Sequence, residues 1–387
     1  MDSVDGNRIT LLQSGVEYFP ALIEAFDCAG REIHLETYIF ESDGTGRAIA
    51  NALARAARRN VPTYLMVDGF GAKDLDPALV AEMQSAGVHL LVYRPHISPW
   101  TFQRSRLRRL HRKLAVVDAR VAFVGGINVL DDQEPAQGIP PRFDYAVRVE
   151  GPLLRDIYPA VKRLWRLVAA TQFKARRPER RPLVPDAAPK GRQRAAFLIR
   201  DNLRHRREIE EAYLDAIRRS RSEVLIANAY FFPGVSFRRA LTDAAARGVR
   251  VKLLLQGRAE YVLFYYASRA LYGTFLDAGI EIHEYHRSFL HAKVAVIDQR
   301  WATVGSSNID PFSLLLAREA NVVIEDREFS RQLRESLVRE MERGATQLHR
   351  QRWAQQPLPL RVATWMSYGL ARFLTGVFAY GRSKEFA

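Results

Sequence analysis

The sequence predicts an α/β fold of two tandem halves, each a mixed, mainly parallel sheet flanked by helices, related by a pseudo-two-fold axis. Two observations support this prediction. Strand-like and helix-like segments alternate along the first half, as they do where helices cover a sheet. The second half repeats this order and contains a second copy, HAKVAVIDQRWATVGSSN (His291 to Asn308), of the segment HRKLAVVDARVAFVGGIN (His111 to Asn128). Repetition on this scale indicates a duplicated domain.

Each element is predicted from its apolar pattern and from the residues that bound it. In the first half the elements are strand 31–40, helix 48–60, strand 61–69, a helix near 78–86, a strand ending at Tyr93, two short strands within the motif and a closing strand 143–151. The second half begins with helix 206–220 and strand 222–232, and its segments RGVRVKLLLQG, DAGIEIHEY and REANVVIED correspond to RNVPTYLMVDG, SAGVHLLVY and FDYAVRVEG. A further helix is predicted near 327–348.

Four segments are predicted along the chain: a first half at 8–172, a Pro/Arg-rich linker at 173–194, a second half at 195–350 and an amphipathic C-terminal segment at 358–384. This last segment either packs on the protein or lies in a membrane interface. Its tryptophan and phenylalanine content and the cations Arg382 and Lys384 favour the interface. One helical face of the segment carries its apolar residues, which are Val362, Trp365, Met366, Gly369, Leu370, Phe373, Leu374, Val377 and Phe378.

The first half contains an insertion before its motif. Matching tyrosines lie 192 positions apart, whereas the two motif histidines lie 180 apart, so 12 additional residues precede the first motif. The insertion is aromatic and basic, which is typical of a lid or interfacial loop, with an ordinary solvated loop as the alternative. The matched pairs are Tyr38 with Tyr230, Tyr93 with Tyr285 and His111 with His291, and the inserted segment holds Trp100, Phe102, Arg104, Arg106, Arg108 and Arg109.

Composition limits the class of partner. The chain has 387 residues, 48% of them hydrophobic, which suffices for two domains with buried cores. Its net charge of +15 and pI near 10.1 predict an anionic partner, either nucleic acid or an acidic membrane surface. A single cysteine, Cys28, excludes an internal disulfide and suits a reducing compartment. The N-terminus MDSVDGNRIT has neither a basic leader nor an apolar run, so membrane contact is expected to be peripheral.

The repeated motif carries the chemistry. In each copy Lys follows His by two residues, Asp follows Lys by five and Asn closes the run. Strand alternation places His and Lys on one side, and symmetry would bring both copies to one point. Two Lys and two Asn would bind phosphate oxygens, while one His attacks phosphorus and the other protonates the leaving alcohol. Neither a metal nor another cofactor is predicted, because no convincing cluster of ligands appears.

The motifs HRKLAVVD and HAKVAVID resemble the paired HxKxxxxD motifs of the phospholipase D superfamily, so each half is expected to be a phospholipase D-like domain. Residues 8–326 resemble the bacterial cardiolipin synthases, in segments such as LETYIF, NAYFFP and GSSNIDPFSLLLAREAN. The resemblance is to the shorter form of these enzymes, which has no N-terminal membrane helices. The resemblance implies catalytic residues His111, Lys113, Asp118, His291, Lys293 and Asp298, with the two Asp more often structural; substrate-binding residues Asn128, Asn308 and Ser306; and His-orienting carboxylates Asp144 and Glu319.

Two features of the implied site stay open. The orienting carboxylates could pair with the histidine of their own half or of the other half. The first motif ends in GGIN and the second in GSSN, so Ser306 and Ser307 have no hydroxyl counterparts in the first half. The half-sites are therefore unequal, and the attacking histidine is not assigned.

The resemblance implies a phosphatidyltransferase that makes cardiolipin and glycerol from two phosphatidylglycerol molecules through a phosphohistidine. The alternatives are a phospholipase D that releases phosphatidic acid, a metal-independent nucleic-acid phosphodiesterase, and a lipid-binding protein without activity. We expect an anionic phospholipid substrate and a membrane surface as partners, rather than nucleic acid, because no clear stacking stripe accompanies the charge. A monomer, peripheral on the cytoplasmic face of the cell membrane, is expected.

Overall fold

The computed structural model describes residues 2–95, 108–131, 141–172, 182–201, 205–259, 262–310 and 317–380. The strands are β1 (Val4–Gln13), β2 (Ile33–Thr37), β3 (Thr63–Asp68), β4 (His89–Tyr93), β5 (Lys113–Val117), β6 (Val121–Gly125), β7 (Tyr145–Glu150), β8 (Gln193–Arg200), β9 (Glu223–Asn228), β10 (Arg250–Gln256), β11 (Glu281–Tyr285), β12 (Lys293–Ile297), β13 (Trp301–Gly305), β14 (Glu319–Glu325) and β15 (Ala345–Leu348). The helices are α1 (Ser14–Asp27), α2 (Gly44–Arg58), α3 (Pro77–Ser85), α4 (Leu154–Thr171), α5 (Glu208–Arg219), α6 (Val235–Ala246), α7 (Val262–Arg269), α8 (Tyr272–Asp277), α9 (Arg327–Gly344), α10 (Arg350–Ala354) and α11 (Leu358–Tyr380).

The described strands form one sheet in the order β15-β11-β10-β9-β12-β13-β14-β8-β1-β7-β6-β5-β2-β3-β4. Read outward from the β8–β1 pair, both halves follow the same order, and β15 adds one strand at the outer edge of the second half. Helices flank the sheet. The predicted α/β fold of two repeated halves is therefore confirmed, and the halves are joined edge to edge.

The prediction of a mainly parallel sheet is wrong. Parallel pairing is confined to β2-β3-β4 and β9-β10-β11, and every other strand pair in the sheet is antiparallel. Parallel neighbours need a crossover connection, which helices such as α2 and α3 supply. The motif strands β5 and β6 are joined by a tight turn at residues 118–120, and such a short turn permits only antiparallel pairing.

Several predicted boundaries shift. Strand β1 starts before residue 8, and β8 takes the end of the predicted linker, whose residues 182–192 lie outside helices and strands. The helix predicted at 327–348 ends at Gly344, and its last four residues become β15. Residues 173–181 of the linker and 96–107 of the insertion lie outside the described residues. The division into domains stays a prediction, since the sheet runs through both halves.

The backbone register corrects one matched pair. Phe40 bridges Val129, and Phe231 bridges Ile309 in the same way, so Tyr38 corresponds to Ala229 rather than to Tyr230. The error came from matching side-chain identity, since a slip of one residue in a strand reverses the face of each side chain. The second pair holds, because Tyr93 accepts from Gly69 as Tyr285 accepts from Gly257.

The motif strands of both halves share one hydrophobic core. Leu114 and Val116 of β5 belong to the same buried cluster as Val294 and Val296 of β12. Helices α4 and α9 contribute to this cluster. Burial of these apolar faces in one cluster brings the two motif copies together.

Candidate active site

Each motif histidine is positioned by a segment of the other half. The N–H of His111 donates to the carbonyl oxygen of Arg318 at 3.0 Å, and the N–H of His291 donates to that of Phe143 at 2.8 Å. Arg318 and Phe143 directly precede the two predicted orienting carboxylates. The backbone therefore sets each histidine beside the carboxylate that belongs to the opposite half.

The side chains complete this crossed arrangement. Nδ1 of His111 lies 2.9 Å from Oε1 of Glu319, and Nδ1 of His291 lies 2.6 Å from Oδ2 of Asp144. A carboxylate at Nδ1 holds the proton on that nitrogen and leaves Nε2 to react. The side chains of His111 and His291 retain 16% and 11% of their exposure, which leaves them within reach of a substrate.

Both motif lysines are buried at this centre. Nζ of Lys113 donates to the carbonyl oxygen of His111 at 2.6 Å, and Nζ of Lys293 donates to that of His291. Nζ of Lys293 also lies 2.9 Å from Nδ1 of His291 and 3.9 Å from Asp144. The carboxylate is closer to that nitrogen and negatively charged, so the Nδ1 proton is directed to Asp144. The two lysines bring positive charge to a site with two carboxylates.

Burial shifts the pKa values of the site in the direction that favours the uncharged form of each group. It lowers the pKa of Lys113 to about 7 and raises that of the Asp144 carboxyl to about 6. Burial also lowers the pKa of His111, and it lowers the pKa of His291 well below the usual value, with the charges of Lys293, Lys113 and His111 adding to the effect. The imidazoles and lysines thus act on one another electrostatically.

The two asparagines lie in the tight loops that follow β6 and β13, and both are buried. Oδ1 of Asn128 accepts the N–H of Ile39 at 3.2 Å, so its amide nitrogen is the group that can donate to a phosphate oxygen. Their placement agrees with the predicted role in substrate binding, which stays a prediction.

Ser306 does not lie where a substrate-binding residue would. Its side chain is fully buried, and Oγ donates to Oε2 of Glu319 at 2.5 Å while accepting the N–H of Ala320 at 3.0 Å. Because its hydrogen bonds are made within the protein, we correct its assignment from substrate binding to positioning of Glu319.

The motif aspartates lie away from the catalytic centre, and grouping them with the catalytic residues was wrong. Asp118 accepts the N–H groups of Gly30, Arg31 and Glu32, and Asp298 accepts the equivalent groups at the start of β9. Each stands five residues beyond its lysine, which places it roughly 16 Å away along a strand. Their role is to fix the turn after the motif strand, where both have positive φ.

Three residues near the centre were not predicted. The ring of Tyr38 lies 5.0 Å from that of His111, and its centroid lies 5.4 Å from Nζ of Lys113. Asp68 accepts the N–H of Leu110 at 2.8 Å and so orients the segment that leads to the histidine. The charge of Arg142 adds to the lowering of the His291 pKa by burial, and it opposes the rise that burial causes in the pKa of Asp144. Two of these residues had a signal in the sequence. Arg142 stands two residues before the predicted orienting carboxylate Asp144, and Tyr38 directly follows the strand that ends at Thr37.

No group of three or more His, Cys, Asp or Glu side chains that could hold a metal occurs within the described ranges. Two His–Lys motifs that face each other in a duplicated α/β fold define a phospholipase D-like enzyme. Residues 22–133 and 213–341 match the family model described as "Cardiolipin synthase, PLD-like domain". The chain belongs to this family of the phospholipase D superfamily, and it is accordingly a phosphatidyltransferase.

Known relatives and solved structures resemble the chain over most of its length. Cardiolipin synthase B of Escherichia coli (strain K12) is 41% identical over 343 residues, which cover 86% of this chain and 80% of that protein. A probable cardiolipin synthase of Bacillus subtilis (strain 168) is 29% identical, covering 87% of this chain and 66% of that protein. Phosphatidylserine synthase of Haemophilus influenzae has a similar fold, with a TM-score of 0.67, 14% identity and coverage of 95% and 94%.

Proposed function

We propose that this protein is a cardiolipin synthase that transfers a phosphatidyl group between two phosphatidylglycerol molecules. The observation that carries the proposal is the crossed arrangement, in which each imidazole holds a buried carboxylate of the other half at Nδ1. Both Nε2 atoms are then available for one nucleophilic and one acid–base role. The names of the relatives support the choice of cardiolipin synthesis.

The first step breaks the bond between phosphorus and the glycerol headgroup. Nε2 of one neutral imidazole attacks phosphorus, and the bond to the glycerol oxygen breaks as that oxygen takes a proton from the other imidazolium. Lys113 and Lys293 bind the non-bridging oxygens, whose charge increases in the transition state. The products of this step are free glycerol and a phosphatidyl-histidine, with the second imidazole left neutral.

The second step restores the enzyme. The terminal hydroxyl of a second phosphatidylglycerol gives its proton to the neutral imidazole and attacks phosphorus, while the phosphorus–nitrogen bond breaks. The product is cardiolipin, and both histidines return to their starting protonation states. Water in place of the lipid hydroxyl would give phosphatidic acid, so exclusion of water decides between synthesis and hydrolysis.

We infer that the enzyme works as a peripheral protein on an anionic membrane surface, on its cytoplasmic face, and as a monomer. The net charge of +15 supports an anionic surface, and membership of a family that makes a membrane lipid supports association with a membrane. None of the helices within the described ranges is long and apolar enough to cross a membrane.

The test is product analysis with vesicles of phosphatidylglycerol labelled in the headgroup. We expect cardiolipin and free glycerol in a ratio of one to one, and no products from the double variant His111→Ala/His291→Ala. Phosphatidic acid in place of cardiolipin would make the protein a phospholipase D. Cleavage of single-stranded DNA or RNA without any lipid product would favour the nucleic-acid phosphodiesterase instead.

A further inference from the structure

Helix α11 packs on the protein through a face that is not its apolar stripe. It lies along α7, with Thr364 and Ala371 buried toward the protein. On the same side, the ring of Tyr368 lies 5.5 Å from that of Phe232 in an edge-to-face contact. The helix is therefore already ordered and held without use of the stripe predicted from the sequence.

The opposite face carries a row of exposed apolar side chains, which we call the outer stripe. Trp365 is 55% exposed and Phe373 is 67% exposed. The sequence left two alternatives, packing on the protein or contact with a membrane. The structure combines packing through one face with an apolar face directed outward. The described members of the outer stripe are Val362, Trp365, Met366, Leu370 and Phe373.

The charge of this region fits an anionic lipid surface. Residues 344–380 contain four arginines and no aspartate or glutamate. Arg361 and Arg372 lie on the helix itself and are exposed. Apolar and aromatic side chains flanked by arginine are typical of helices that lie in a membrane interface, where the rings enter the headgroup region and the cations meet lipid phosphates.

Helix α11 also lies close to the candidate active site. Phe232, which contacts Tyr368, donates its N–H to the carbonyl oxygen of Ile309 at 2.8 Å, directly after Asn308. Helix α7, on which α11 rests, comes after the end of β10, and Asn228 at the matching end of the neighbouring β9 pairs with Lys293. The helix thus lies at the end of the sheet that carries the motif lysines.

We propose that the outer stripe of α11 is a docking surface for an anionic lipid bilayer and holds the active site at the lipid surface. The bilayer is preferred over a second copy of the chain because the helix carries Arg361 and Arg372 and no acidic residue, so two such helix surfaces would repel each other. This docking surface rests on the proposed function, because it specifies where on the protein the lipid substrate of that reaction is met. Vesicle binding itself is measured without turnover.

The experiment compares the double variant Trp365→Gln/Phe373→Gln with the control variant Val16→Gln/Leu167→Gln. The control residues are exposed to a similar degree, 63% and 51%, but lie on α1 and α4. Sedimentation is measured with vesicles of phosphatidylglycerol mixed with phosphatidylcholine and with phosphatidylcholine alone. We expect the stripe variant to bind the anionic vesicles at least about tenfold more weakly than the wild type, and the control to bind normally.

Equal binding of the stripe variant and the wild type would overturn the proposal. So would a wild-type dimer in sedimentation velocity that the stripe substitutions dissociate, because the occupant would then be a second copy. Turnover of detergent-dispersed phosphatidylglycerol is measured in parallel, and we expect the stripe variant to retain it to within about threefold. A wild type that binds vesicles but makes no product in either form would refute the proposed function and leave the docking surface standing.

Discussion

The two half-sites carry the same reacting groups on different supports. Each half supplies one histidine, one lysine and one carboxylate, and each histidine accepts its position from the opposite half. The residues that pack against these groups differ between the halves. Where one residue of a contacting pair differs, its partner differs too. The comparison shows that the two halves have the same reacting groups, whereas the residues that hold these groups in place differ.

One such pair lies behind the histidine–lysine segment. In the first half Arg112 and Glu36 are both buried and form an ion pair, with Nη2 of Arg112 at 2.7 Å from Oε1 of Glu36. Glu36 lies opposite Leu114, and Ala227 lies opposite Val294 in the second half, so Ala227 and Ala292 occupy the equivalent positions. A buried ion pair and an apolar pair are both stable solutions, whereas a mixture of the two is not.

The second pair supports the orienting carboxylates. A side chain at Gly126 would place its Cβ 2.4 Å from Oδ1 of Asp144, so a larger residue fits there only if the Asp144 side chain moves. In the second half the equivalent Ser306 donates a hydrogen bond to Glu319. The hydroxyl that the first half lacks is therefore not a missing substrate contact. Its absence makes room for the shorter carboxylate.

The largest expected effect tests whether the halves form one centre. His111→Ala and His291→Ala are each expected to lower turnover by at least about 10³-fold, because both roles are needed in both steps. The exposed His349→Ala serves as the control and is expected to keep activity, and thermal unfolding checks that all variants fold. Full activity in either active-site variant would mean that the halves act independently.

The same two variants can separate the roles of the histidines. A phosphodiester that releases p-nitrophenol needs no general acid, because that leaving group is stable as an anion. The variant that lacks the acid is therefore expected to release one equivalent of p-nitrophenol in a burst, whereas the variant that lacks the nucleophile releases none. Bursts from both variants would contradict a fixed division of roles.

A second prediction concerns the ion pair that distinguishes the first half. Arg112→Ala leaves the Glu36 carboxylate buried without its partner and is expected to lower the free energy of unfolding by about 3–5 kcal/mol. The double variant Arg112→Ala/Glu36→Ala copies the second half and is expected to recover most of that loss. Urea denaturation measures both. A double variant as unstable as the single one would show that the alanine pair of the second half is not stable in the first half.

A third prediction exploits the unequal carboxylate supports. Gly126→Ala is expected to displace Asp144 from His291 and to lower kcat by about 10²-fold, since misplacement by about 1 Å has such an effect. Ser306→Ala, the matched change in the second half, removes the hydrogen bonds of Oγ with Glu319 and Ala320 but introduces no clash, and it is expected to have a smaller effect. Equal effects of the two substitutions on kcat would contradict the inference that only the Asp144 carboxylate requires glycine beside it.

The smallest expected effect is on the pH profile. Below about pH 6 Asp144 takes up a proton and no longer holds the Nδ1 proton of His291, and above about pH 7 Lys113 loses the charge that binds phosphate. The profile of kcat/KM with dispersed phosphatidylglycerol is therefore expected to be bell-shaped, falling about tenfold per pH unit on each side. A flat profile between pH 5 and pH 9 would contradict these assignments.

The reacting groups were predictable from sequence because a repeated spacing is visible without any tertiary information. His111, Lys113 and their counterparts needed only strand alternation and the assumption of symmetry. The crossing of the carboxylates was not predictable, since it depends on the contacts of Leu110 with Arg318 and of Phe143 with Leu290 between distant segments. Sequence spacing contains no information about which half those segments approach.

Two errors came from information that the sequence did contain. The five residues between each lysine and its aspartate already separate them along a strand, so Asp118 and Asp298 could have been placed at the far end. The short turn between β5 and β6 likewise predicts antiparallel neighbours, although the β-α-β rhythm of the outer strands suggested a parallel sheet. In both cases the prediction followed the overall pattern of motif or fold and neglected the local strand geometry.

The crossed carboxylates have a consequence for synthesis of the protein. During translation the first half emerges from the ribosome before the second, so His111 is made before Glu319. A chain that stops before Glu319 contains His111 without the carboxylate that orients it. The complete catalytic centre can therefore form only after the strand that begins at Glu319 has been made and has joined the sheet.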